Sequence, residues 1–446
     1  MTETVITEAI KVQAVAALKE LIAQPSANQP AAPGAPFGPG IRQALDQMMA
    51  LCQRLGFRTY ADPDGYYGYA EIGEQGPIFG VVGHLDTVPA GDLAAWDTDP
   101  FEPVIRDGKI IGRGAQDDKG PTVAALYAVK ALLDAGYQLK QKIRFIFGTD
   151  EEILWRGIAK YNEKEVPIDA GIAPDSEFPL TYAEKGLQQS YLVGPGTDQF
   201  TLHMENAFNA VPAKAEYTGP RLAEVQAALE RHHFAFEATA DKLTVLGKSV
   251  HAMNAPQGTN AVLRLAIALD EVFDFAPLHF LGQVFKEDAT GANVLGRVAD
   301  ESGQLTFNIS SLEVNAKETR LQIDLRIPVT IDRDQLIADL TAKIAPYELK
   351  YEHFDYLAPL FVPKETPLVQ TLMAVYQEKT GDQTPPQISG GATFARTMHN
   401  CVAFGAMLPG VPDYMHQANE QWPLESMYQT MDIYAEAIKR LCFTEH

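Results

Sequence analysis

Cysteine is scarce: there are three in 446 residues, Cys52, Cys401 and Cys442, odd in number and far apart. That excludes a disulfide framework and any cysteine metal site of ordinary spacing, and leaves small apolar core residues suited to a reducing compartment. Long apolar runs are missing too, since no stretch approaches the roughly 18 uninterrupted apolar residues of a membrane span. The acidic start, Met1 to Val5, has no apolar signal core, so the chain is expected to stay in the cytoplasm and off membranes. Basic residues are outnumbered 36 to 58, for a formal net charge of −22, and no basic cluster offsets this locally. Such a surface repels phosphate backbones, which argues against nucleic acid as a partner. Repeats and low-complexity tracts are absent as well.

What is present is the balance of a folded protein, 46% hydrophobic and 21% charged. The length predicts two or three domains. Helical apolar spacing over 7–23 and 41–55 brackets a Pro/Gly/Ala-rich loop, and strand signals follow at 57–60, 67–72 and 77–82. A helix is predicted over 122–133 and buried strands over 142–148 and 168–173. This alternation predicts an α/β fold with a mostly parallel sheet, whose ligands bind beyond the carboxyl ends of its strands. From about residue 188 the texture changes. Period-two strands at 305–314 and 320–325 are interleaved with helices near 221–231, 260–273 and 332–344, an inserted α+β region. Helices at 366–379 and 425–441 then return to the first domain. The expected division is 1–187 with 356–446, and 188–355 as the insertion.

Five acid and histidine clusters stand out: His84 with Asp86; Gln116, Asp117 and Asp118; Asp150 to Glu152; Asp175 with Glu177; and His416 with Asn419 and Glu420. Three of them, those at His84, Glu151 and Asp175, are expected directly after a strand's last residue, where they can converge. Two imidazoles and several carboxylates repel one another and resist desolvation unless a cation compensates them. A nitrogen and oxygen ligand set without cysteine favours zinc or a similar borderline ion. Asp86 can orient His84, as metal-bound histidines usually require. A carboxylate just before a helix start, within Gly112 to Gly120, can bridge two ions about 3.5 to 4 Å apart. Side chains of adjacent residues diverge, so one of Glu151 and Glu152 can bind metal while the other faces a substrate water.

These motifs resemble the zinc metallopeptidase family that includes carboxypeptidase G, aminoacylases and carnosinase-like dipeptidases, nearest to its bacterial Xaa-His dipeptidase branch. The matching stretches run from Ala35–Gly40 through His84–Pro89, Gly112–Pro121, Thr149–Glu152 and Pro174–Pro179 to Gly247–Met253. The resemblance implies a catalytic domain with an inserted lid and two Zn2+ per chain, replaceable by Co2+ or Mn2+. It implies that His84 and Asp175 bind one ion, that Glu152 and His416 bind the other, and that Asp117 bridges them through a residue whose following peptide bond is cis. Asp86 then orients His84, Glu151 is the general base, and His251 of the lid supports the transition state. Asn209 and Arg326 match positions that hold a substrate's terminal carboxylate, although Ala210 and the Ile327-Pro328-Val329 run depart from the family pattern.

The implied activity is hydrolysis of dipeptides and other short peptides with free termini. An N-acyl amino acid deacylase or desuccinylase and a non-catalytic metal-dependent binding protein are the alternatives. The enlarged lid resembles one that stands in for a partner subunit, which favours a monomer.

Overall fold

Unbroken apolar runs decide the centre of the first unit. The structure is a computed structural model that describes residues 4–444; the first three residues of the acidic start lie outside them. Ile78–His84 is buried at every position and Lys142–Gly148 at all but its first. Strands apolar on both faces are stable only when both faces are covered, which places them mid-sheet. They pair in parallel with each other, Ile78–His84 pairs in parallel with Ala170–Ala173, and that strand pairs in parallel with Cys401–Ala403. Antiparallel strands flank this centre: Gly68–Ile72 and Arg58–Ala61 on one side, Thr181–Glu184 on the other. The sheet is therefore mixed, a parallel core with antiparallel margins, within the α/β class.

The helix Lys119–Asp134 is rich in Ala and Leu and buries every residue except Lys130, Leu133 and Asp134, as expected of a helix lying against a sheet with others packed around it. Glu8–Ile22, Pro39–Arg54, Pro367–Thr380 and Leu424–Cys442 complete this unit. Chain contacts assign it residues 1–183, 360–388 and 393–446.

The second unit, 184–359 with 389–392, has a five-stranded antiparallel sheet. Its order is Leu202–Met204, Thr306–Val314, Glu318–Ile327, Gly186–Pro195 and Lys350–Leu357. Gly186–Pro195 shows the period-two burial of a half-covered sheet. Its core gathers Leu192, Ile309, Ile323 and Leu325 with Leu265 and Leu269 from the helix Ala261–Asp270 and Leu336 and Leu340 from Arg333–Ile344. No helix among the described residues is long and apolar enough to cross a membrane.

Candidate metal centre

Three parallel neighbours present their carboxyl ends on one edge of the sheet. His84 is itself the last residue of its strand rather than the residue after it. Glu151 lies in the turn beyond Gly148, and Asp175 two residues beyond Ala173. The convergence expected from the sequence survives these small shifts because parallel strands share one carboxyl edge.

Two groups of potential ligands form there, and Asp117 belongs to both. His84, Asp117 and Asp175 make one and Asp117, Glu152 and His416 the other; within each group, one ligand atom per residue lies within 4.8 Å of the others. His84 Nε2 is 2.9 Å from Asp117 Oδ1 and 3.5 Å from Asp175 Oδ2. His416 Nε2 is 2.9 Å from Asp117 Oδ2 and 3.1 Å from Glu152 Oε2.

The donor set fits a metal. His84 Nδ1 is 2.9 Å from the backbone oxygen of Asp86, which can only accept, so the ring donates there. In the neutral ring Nε2 then holds the lone pair; it is buried and, among the described residues, has no hydrogen-bond partner while facing two carboxylates. An acceptor aimed at acceptors is repulsive without positive charge between them. The orienting contact of Asp86 is thus made by its carbonyl; its carboxylate stands 3.5 Å from Nδ1 and accepts from the Glu152 amide at 3.1 Å.

The electrostatics repeat that demand for positive charge. Burial would lower His84, but the carboxylates of Asp117, Asp175 and Asp86 push it well above its ordinary value. Hydrogen bonding to Asp117 and Glu152 lifts His416 to about 10. Burial would raise Asp117, yet the imidazoles of His416 and His84 hold it well below the usual carboxylate range. Burial pushes Glu151 well above that range, with the charges of Asp175, Asp117 and Glu152 reinforcing it against the opposing pull of His84.

Two residues whose part the sequence did not disclose hold the ligands in place. Asp118 stands at the start of the Lys119–Asp134 helix, but its Oδ2 accepts from the His84 backbone amide and from Thr122 Oγ1, each at 3.0 Å. The Asp117–Asp118 peptide bond is cis. Glu420 is fully buried beneath the 113–117 loop. Only its inclusion in the His416 cluster could have drawn attention to it.

His251, Asn209 and Arg326 belong to the second unit. The Met253 amide donates to His251 Nδ1 at 3.2 Å, which leaves Nε2–H as the free donor. Burial and the Arg326 charge lower the His251 pKa, so the ring is a neutral donor at neutral pH. The Ala252 amide donates to the Asn209 carbonyl at 2.8 Å, holding these two segments side by side. Arg326 is buried; its Nε donates to Asp324 Oδ1 at 2.7 Å, one terminal nitrogen to Asp324 Oδ2 at 3.2 Å and the other to the Gly390 carbonyl at 2.7 Å. Three of its five N–H groups are thereby used. A further group in that unit, His203, Glu205 and Glu313, is largely exposed, a setting in which such clusters are common without an ion.

Comparison with known proteins agrees in kind. A Staphylococcus haemolyticus protein named "Putative dipeptidase" is 36% identical over 440 residues, covering 91% of this chain and 92% of its own. The solved aminoacylhistidine dipeptidase of Vibrio alginolyticus superposes with a TM-score of 0.63 at 12% identity, over 100% of this chain and 99% of its own. A Bacillus subtilis structure described as a dinuclear metal binding peptidase gives 0.53 at 12% identity, over 98% and 99%. These two likenesses are of fold. The model of peptidase family M20/M25/M40 matches residues 80–440, and the chain belongs to that family.

Proposed function

We propose that this peptidase is a dizinc dipeptidase acting on short peptides with free termini. The observation that carries the reading is the sharing of Asp117 between two ligand groups, His84 with Asp175 and Glu152 with His416. When bound, two zinc ions would acidify a water and polarise the scissile carbonyl. The chain's own residues do the rest. Glu151 accepts the proton of the attacking water and returns it to the leaving amine. The backbone carbonyl of Asp86 keeps His84 in the tautomer that offers Nε2. The Nε2–H of His251 donates to the developing oxyanion, an interaction strongest in the transition state. Asn209 and the unused N–H groups of Arg326 take the substrate's terminal carboxylate.

The dipeptide-directed name of the staphylococcal relative supports this substrate class over N-acyl amino acids. The experiment is hydrolysis of a panel of β-Ala-His, ordinary dipeptides, tripeptides and N-acetyl amino acids, with metal content measured on the same preparation. Dipeptides should be cleaved fastest, with close to two divalent ions per chain. Faster cleavage of N-acetyl amino acids, or full activity in metal-free protein, would overturn the reading.

A further inference from the structure

Two residues beside the metal ligands have no part in that chemistry, yet their contacts are unusually complete. Glu420 is 0% exposed, and four donors converge on its carboxylate. Oε2 accepts from an Arg113 terminal nitrogen at 2.7 Å and from the Gly114 amide at 3.0 Å. Oε1 accepts from the Gln116 amide at 2.7 Å and the Asp117 amide at 3.2 Å. A carboxylate has room for about four such bonds, so its capacity is filled. A buried ion pair is often no more stable than apolar residues of the same volume, so stability alone does not account for Glu420. What the carboxylate does achieve is to fasten the 113–117 loop to its own segment, four residues beyond His416.

Gln116 ties the same two segments from the other side. Its Oε1 accepts from the Tyr414 amide at 2.8 Å and its Nε2 donates to the Pro412 carbonyl at 3.0 Å. His416 therefore lies between two fastenings, Gln116 at 412–414 and Glu420 four residues beyond. It needs them: its side chain is 56% exposed and its backbone takes the left-handed conformation at φ 62, so neither burial nor regular structure fixes it.

We propose that Gln116 and Glu420 are positioning residues which bracket His416 and hold its imidazole against Asp117, so that they set the affinity of the metal site made by Asp117, Glu152 and His416. The proposal rests on the dinuclear reading above. Outer residues that orient ligands typically change metal affinity about 10- to 100-fold when altered.

The test is titration of the metal-free, full-length protein with Zn2+ against a chelating indicator, for wild type, Gln116→Leu and Glu420→Gln. Tyr67→Phe serves as a control; it removes a hydrogen bond to Glu165 elsewhere in the first unit. Wild type and control should take two ions. Each variant should keep one binding step unchanged and weaken the other by roughly 10- to 100-fold. Its kcat at limiting zinc should fall and recover in excess zinc, with KM unmoved. Two wild-type steps in a folded variant would overturn the proposal, and so would equal weakening of both steps. If Glu420→Gln does not fold, Gln116→Leu decides alone; if neither folds, the bracket is structural and the proposal fails. A wild-type protein that binds fewer than two ions would instead refute the dinuclear reading.

Discussion

Glu151 and Glu152 are chemically identical and differ only in surroundings. Glu152 lies 3.1 Å from His416 Nε2 and its amide is held by Asp86, whereas among the described residues Glu151 lacks those contacts and its carbonyl accepts from the Trp155 indole at 2.7 Å. Glu151→Gln should leave metal content intact while slowing turnover by about a hundredfold to ten-thousandfold, the range of a lost general base. Glu152→Gln should lose metal as well. Elemental analysis beside kcat separates the two, and reversed metal contents would exchange their roles. His251→Ala tests a third residue. Loss of one oxyanion donor should cost about a hundredfold to a thousandfold in kcat with KM and metal content little changed. A near-wild-type kcat would leave His251 as a structural residue.

Among the elements, the junction of the Ile78–His84 strand with the Lys119–Asp134 helix is tightly constrained. A Cβ added at Gly83 would lie 2.1 Å from Thr122 Oγ1 and 2.5 Å from Asp118 Oδ2, the atoms whose bonds fix His84. Gly83→Ala should therefore destabilise the protein by about 1 to 3 kcal/mol, the usual cost of overpacking, and weaken zinc binding through His84. Urea unfolding of metal-free protein reads the first effect and zinc titration the second; wild-type values in both would show that the junction yields. The elements themselves were largely legible in the sequence. Apolar runs and helical stripes placed the strands at 142–148 and 320–325 and the helices at 221–231 and 332–344 close to their observed bounds, because burial alone imposes those patterns. Their ties were not. That Asp118 would serve His84, that Asp324 would claim much of Arg326, or that Glu420 would grip the Asp117 amide depends on pairings that exist only once distant segments have met. The strands at 58–61 and 68–72 were also foreseen, but their antiparallel direction was not, because a short strand's direction is set by its connections and not by its own residues.

For the whole molecule, the important asymmetry is that all five proposed ligands, His84, Asp117, Glu152, Asp175 and His416, belong to the first unit. An ion that binds the native state and not the unfolded one stabilises it by about 4 kcal/mol per site when its free concentration is a thousandfold above Kd. That stabilisation acts where the ligands are. Zinc should therefore slow amide hydrogen exchange in the Ile78–His84 and Lys142–Gly148 strands and around residues 112–118 and 412–420. Exchange in the Thr306–Val314 and Glu318–Ile327 strands, whose core of Ile309, Ile323 and Leu325 contains no proposed ligand, should stay at its metal-free rate. Hydrogen-exchange mass spectrometry with and without zinc makes the comparison peptide by peptide. Equal protection of both units would mean that the ion's stabilisation spreads beyond its ligands, and protection confined to the second would remove the metal centre from the edge of the parallel sheet.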